Sequence, residues 1–203
     1  MIARRMKGKK ALPLLDKLQT IDPTVRFEER FDWLYLPKSH ERIKLEAQIL
    51  AALQEDCRLN KDQYTNKKRN CEWQNIYAND ENIKGISRIL EFDFYLPKFH
   101  IAIEFDELQH FTRERQITFQ FYPDYGFHFD VSRWIELCSM GRYDQDPPCR
   151  DWQRAFRDAI RDLRARENKL PLLRLYSIEF DEDSFTRSET YDKLVCEIEN
   201  ATH

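Results

Sequence analysis

Leu90-Glu91-Phe92-Asp93-Phe94-Tyr95-Leu96-Pro97, followed closely by Ile101-Ala102-Ile103-Glu104-Phe105-Asp106-Glu107-Leu108-Gln109-His110, is the stretch on which the fold turns. It reads as two apolar strands joined by a proline turn, with carboxylates set inside both. Side chains of a strand alternate faces. In the first strand Leu90, Phe92, Phe94 and Leu96 point one way and Glu91, Asp93 and Tyr95 the other. In the second, Ile101, Ile103 and Phe105 oppose Ala102, Glu104 and Asp106. Leu96-Pro97-Lys98-Phe99-His100 supplies the reversal, because proline presets a turn dihedral and cannot donate to a central ladder. A buried carboxylate is costly unless it is paired or bound to a metal. Acids gathered on one face of such a hairpin therefore require a cation, a proton or a strong partner. Asp93, Glu104 and Asp106 are the candidate metal ligands, and their hard oxygens suit Mg²⁺ or Mn²⁺. The plainer reading is a half-exposed hairpin with a solvated acidic face.

The length of 203 residues fits one domain with a real core. Fourteen Phe, nine Tyr and four Trp beside only four Gly argue against disorder. No apolar run approaches the roughly 20 residues of a membrane span. Met1 to Lys10 is basic and lacks the apolar stretch of a secretory signal. The expectation is an intracellular protein with no membrane partner. Five cysteines at irregular spacing, with no CxxC, read as reduced thiols rather than a zinc site. The net charge of −3 does not advertise a nucleic-acid binder, and its distribution matters more. Arg4 and Arg5 lie in an acid-free basic arm, and Lys67, Lys68 and Arg69 in a second basic cluster. Such runs neutralise phosphates, or else form solvated tails and loops.

Residues 1–38 read as this basic arm plus irregular structure, broken by Pro13, Pro23 and Pro37. Residues 39–203 read as the main domain. Arg42 to Gln54 has helical spacing, with Ser39 as its cap. Trp73 to Ala78 suggests a short strand, and Leu108 to Phe111 a helical turn. Residues 112–149 lack clear periodicity and read as an aromatic-rich insertion: a lid, a base-stacking surface, or a small satellite core. Asp151 to Asn168 is the clearest helix. Trp152, Ala155, Phe156, Ala159, Ile160 and Leu163 form its apolar stripe, and Arg154, Arg157, Asp158 and Arg161 lie on the opposite face. Leu170 to Ile178 reads as a buried strand carrying Arg174, and Thr186 to Ala201 as a closing helix. The order implies a mixed α/β fold around one sheet.

Phosphodiester hydrolysis needs a cation at the phosphate, a group that handles the attacking water and positive charge near the developing oxyanion. Asp93, Glu104 and Asp106 offer metal oxygens. Gln109 and His110 can orient or deprotonate water. Arg154, Arg157 or Arg161 can meet phosphate, since arginine presents a rigid donor fork. The plainer role for these arginines is pairing along the helix surface.

Phe92-Asp93-Phe94-Tyr95-Leu96-Pro97, Ile103-Glu104-Phe105-Asp106 and Gln109-His110 together resemble the core signature of the PD-(D/E)XK nuclease superfamily. The nearest branch is the group related to very short patch repair endonucleases. Arg157-Asp158-Ala159-Ile160-Arg161 and Leu172-Leu173-Arg174-Leu175 take the places of that branch's later helix and strand motifs. The resemblance implies a restriction-endonuclease-like fold with an αβββαβ core, a mixed β-sheet flanked by helices. It further implies Mg²⁺-dependent cleavage of DNA, most simply double-stranded. Asp93 and Glu104 would bind metal, with Asp106, Gln109 and His110 completing the site. Asp158, Arg161 and Arg174 would lie around it, and Glu46 is the candidate for the glutamate of the upstream helix. Three departures stand out: Asp106 where the superfamily has lysine, Glu107 where the branch has glycine, and Arg161 in place of the branch lysine. The missing lysine keeps open an alternative, a nuclease-like protein that binds nucleic acid without cutting it.

Overall fold

The structure is a computed structural model that describes residues 11–60, 89–140, 148–180 and 188–202. Its centre is the hairpin. Strands β2 (Phe92–Leu96) and β3 (Ile101–Asp106) pair antiparallel, with Phe94 opposite Ile103 and Leu96 opposite Ile101. The reversal at Pro97–His100 closes through Phe99 N–H to the Leu96 carbonyl, and the buried Asp22 accepts Lys98 N–H at 2.9 Å. Strand β1 (Arg26–Glu29) adds antiparallel to β2, and β4 (Leu172–Tyr176) adds parallel to β3. The result is a mixed four-stranded sheet in the order β1-β2-β3-β4.

Helices cover both faces. Helix α1 (Leu12–Ile21) and the closing helix α6 (Ser188–Ala201) pack Leu14, Leu18, Leu194 and Ile198 against Phe94, Ile103, Leu173 and Leu175. On the other face lie α2 (Lys44–Leu59) and α5 (Pro148–Glu167). The α5 stripe of Trp152, Ala155, Phe156, Ala159, Ile160 and Leu163 is buried throughout. Each large side chain in it contributes about 1.5–3 kcal/mol by leaving water. Trp152 also donates its indole N–H to the Leu53 carbonyl at 2.6 Å, fixing α5 against α2.

Because both faces are covered, all six residues of β3 are buried and its acidic face is not solvated, while Asp93 and Tyr95 of β2 are half-buried. Glu104 and Asp106 keep only 2% and 1% exposure.

Several expectations are corrected. The segment 1–38 is not irregular throughout: α1 and β1 lie within it, with Pro13 in the first turn of α1, where its missing N–H costs nothing. Helix α2 runs over Lys44–Leu59 and not Arg42 to Gln54, with Ile43 and not Ser39 at its cap position, and the Glu46 carboxylate accepts the Ile43 N–H at 3.0 Å. The insertion carries two short helices, α3 (Arg113–Phe119) and α4 (Val131–Ser139). Thr112 and Asp130 cap them by accepting the N–H groups of Arg115 and Arg133. Phe111, Phe119, Trp134 and Cys138 form a satellite core there with Tyr176 of β4. The strand read at Trp73–Ala78 lies outside the described residues. No helix among those described is long and apolar enough to cross a membrane.

Candidate functional site

β2 and β3 separate just beyond their paired residues, and side chains take over the ladder. Asp93 Oδ2 accepts Phe105 N–H at 2.8 Å, and Glu104 Oε1 accepts Asp93 N–H at 3.3 Å. The two carboxylates thus face each other across the hairpin. Each spends one oxygen on the opposite strand, and the other, Oδ1 or Oε2, has no hydrogen-bond partner among the described residues. Burial holds both carboxyl groups above their ordinary range, Glu104 well above it. Arg161 only partly offsets this, with Nε 3.4 Å from Glu104 Oε1.

Both acids open into a cleft of about 390 Å³ between the sheet edge and α5. Glu91, Glu107, Gln109 and His110 line it, with Gln153, Arg154, Arg157, Asp158 and Arg161 from α5. The arginines recur at i, i+3 and i+7, so one side of the helix supplies them all. Arg161 donates to the Glu91 carbonyl at 2.9 Å and to Asp158 Oδ1 at 3.0 Å. Arg154 donates to the Gln109 carbonyl at 2.7 Å and to Asp151 at 3.0 Å.

His110 sits on a short 3-10 turn, Leu108–His110, directly after β3. Its Nδ1 lies 2.8 Å from Asp158 Oδ2 and 3.4 Å from Asp106 Oδ1. Burial disfavours the charged ring, but the Asp158 charge and hydrogen bond outweigh it, with help from Asp106, and hold the imidazole above its ordinary value. Asp158 is itself desolvated, yet His110, Arg174 and Arg115 hold it far below the usual carboxylate range. An ionised acceptor means that Nδ1 carries the donated proton.

Asp106 has a different setting from Glu104 although both point to the same face. Arg174 Nη1 lies 2.7 Å and 2.8 Å from its two oxygens, and Trp134 Nε1 donates to Oδ2 at 2.7 Å. It does not line the cleft. Arg174 continues through Nε to Asp162 (2.8 Å), which also accepts from Arg115 (2.5 Å) and the Tyr122 hydroxyl (2.6 Å). A buried ionic network thus runs from the insertion to the floor of the site. Glu46 is equally committed elsewhere: fully buried, it takes two bonds from Arg164, at 2.6 Å and 3.0 Å, and stays outside the cleft.

Of the sequence candidates, the structure brings Asp93, Glu104, Gln109, His110, Arg154, Arg157, Asp158 and Arg161 to one cleft. It sets Asp106 and Arg174 beneath it as an ion pair. Arg4, Arg5, Lys67, Lys68 and Arg69 lie outside the described residues. Sequence reading missed Glu28. The β1 register places it beside Asp93, and it lines the cleft in a left-handed conformation (φ 52°) that a non-glycine residue rarely adopts. Only the pairing of β1 brings it there, so no local signal announces it. Among the described residues no three His, Cys, Asp or Glu side chains form a group able to hold a metal ion unaided. No family model matches the chain, and searches of curated proteins and of solved structures likewise found no match.

Proposed function

We propose that the cleft hydrolyses DNA phosphodiester bonds with a divalent cation, as an endonuclease. One observation carries this reading: Asp93 and Glu104, each with an unused oxygen, face a row of arginines across one cleft. The donor set fits Mg²⁺, with Mn²⁺ as a substitute, because Mg²⁺ is commonly held by one or two carboxylates while water and substrate phosphate complete its shell. Asp106 leaves the ligand set, since Arg174 and Trp134 occupy its oxygens. A bound cation would supply Lewis acidity and a more acidic attacking water. Asp93 and Glu104 would hold it, Arg161 places positive charge beside them, and His110, whose Nδ1–H is spent on Asp158, has the Nε2 proton of its charged ring to give to a leaving oxygen. The order α1, β1, β2, β3, α5, β4 supports a restriction-endonuclease-like αβββαβ core, with α2 and α3–α4 as additions.

The second reading, binding without cleavage, draws on Asp106. The position of the superfamily lysine holds an acid sealed by Arg174, so no cation of that kind reaches the cleft there. Plasmid and oligonucleotide DNA incubated with Mg²⁺ or Mn²⁺ separate the two. Cleavage that EDTA stops and that Glu104→Gln or Asp93→Asn abolishes supports the nuclease. Glu104→Gln protein cutting at the wild-type rate would sink the assignment of the site, and salt-sensitive DNA binding without any cleavage favours the second reading.

A further inference from the structure

Three arginines face the cleft, and they are not equivalent. Arg154 is engaged by the Gln109 carbonyl and Asp151, and Arg161 by the Glu91 carbonyl, Asp158 and Glu104. Arg157 stands between them on the same side of α5 and makes no hydrogen bond or ion pair among the described residues. Its Nε is moreover buried from solvent without an acceptor. A buried donor left unpaired is costly, so such groups in a folded protein point to a missing partner. Two other described side chains hold an unpaired buried atom, Arg42 and Asp56. Both differ from Arg157: Arg42 has other interactions, and Asp56 binds Arg113 and Asn60 through its second oxygen.

We propose that Arg157 is the cleft's phosphate contact, while Arg154 and Arg161 serve to hold its walls. The partner it lacks is anionic, planar-fork compatible and delivered from the cleft, which describes a phosphate oxygen pair. Arg157 lies four residues before Arg161, a rise of about 6 Å along α5. Successive phosphates advance by about 3.4 Å along the axis of one strand. The phosphate at Arg157 therefore lies within about two steps of the one beside Asp93 and Glu104, and Arg157 sets the register of the strand in the cleft. This inference rests on the nucleic-acid reading above.

The test is binding of a short DNA duplex and of the matching single strand, followed by fluorescence anisotropy over a series of salt concentrations. Ca²⁺ replaces Mg²⁺ so that binding is read without turnover, and cleavage in Mg²⁺ is scored separately. For Arg157→Gln the expected result is a loss of roughly tenfold or more in affinity. The slope of log affinity against log salt should shrink by about 0.9 on duplex, or about 0.7 on single strand. Arg157→Lys should keep the slope, and neither variant should lower the melting temperature, since Arg157 holds nothing in the fold. An unchanged slope in Arg157→Gln overturns the inference, as does a loss of affinity that follows a lowered melting temperature. Wild-type protein that binds neither DNA overturns both this inference and the nucleic-acid reading. A reduced slope in Arg157→Gln, with no cleavage in any metal, supports the inference and removes the nuclease.

Discussion

Glu104 and Asp106 stand two residues apart on β3, face the same side and are almost equally buried, yet substituting them should change stability in opposite directions. Glu104 is under-compensated: its contacts are a 3.3 Å bond from Asp93 N–H and Arg161 at 3.4 Å, and burial pushes its carboxyl well above the ordinary value of 4.5. Glu104→Gln removes the charge and keeps an oxygen for Asp93 N–H. The gain should be about 1–3 kcal/mol, the scale of a poorly satisfied buried group. At roughly 2–4 °C per kcal/mol for a chain of this size, that raises the melting temperature by about 2–12 °C. Asp106→Asn instead takes the charge from the fully buried Arg174. Breaking a buried ion pair costs about 3–5 kcal/mol, equivalent to a fall of about 6–20 °C. Thermal melts in EDTA at about pH 8 read both, where a carboxylate with a raised pKa has begun to cost stability. The Glu104 effect also has a pH signature. Below its unfolded value the group is protonated folded or unfolded, and Glu104→Gln gains nothing. As pH rises through the raised folded value, the wild type must carry the buried charge and loses stability that the variant keeps. If Glu104→Gln melts lower than wild type at alkaline pH, or its advantage persists unchanged into acid, Glu104 is a structural anchor and the reasoning fails.

Three further outcomes follow from the same geometry. His110→Gln should lower the cleavage rate by about 10²–10⁴-fold, the usual contribution of a positioned acid or base. Because Asp158 holds the His110 ring above its ordinary 6.5, wild-type activity should fall as pH rises through that elevated value, and a pH–rate profile of the variant should lack this alkaline limb. Glu46→Gln should cost about 2–4 kcal/mol, below the full range for a buried pair because Arg164 keeps a solvent edge. Its cleavage per folded molecule, measured well below the melting point, should match wild type. Burial pushes the Cys138 thiol up to about 12, whereas Cys196 is exposed, so mass spectrometry after thiol alkylation should find Cys196 labelled and Cys138 untouched until the protein unfolds.

The hairpin was legible because strand periodicity is local: apolar residues at every second position determine both the pairing and the face on which Asp93 and Glu104 emerge. Helix α5 was legible for the same reason, its stripe spanning many turns. The helices α3 and α4 are too short to show a period, although Thr112 and Asp130 do carry the signature of a cap. What could not be read was the assignment of partners. Glu104 and Asp106 share a parity and a chemical type, and although the parallel register sets Arg174 opposite Glu104, its guanidinium reaches along the sheet to Asp106. Arg161 and Arg164 likewise lie one turn apart on α5, yet one reaches Glu104 and the other Glu46. Arg115 looks like an ordinary helix-surface cation in sequence and is 1% exposed, because Asp162 arrives from α5 and Tyr122 folds back from just beyond α3.

That last network has a consequence for how this protein can diverge. Arg115, Asp162, Arg174 and Asp106 form a chain of alternating charge with no access to water, so changing one member strands the next. Neutral drift through single substitutions is closed to them, because each step passes through an unpaired buried ion. The four positions should consequently covary in related chains, changing as charge-balanced sets or not at all. The helices that supply Arg115 and Trp134 should then be kept or lost together with the strands they neutralise, so what looks in sequence like an insertion is tied to the sheet by its charges.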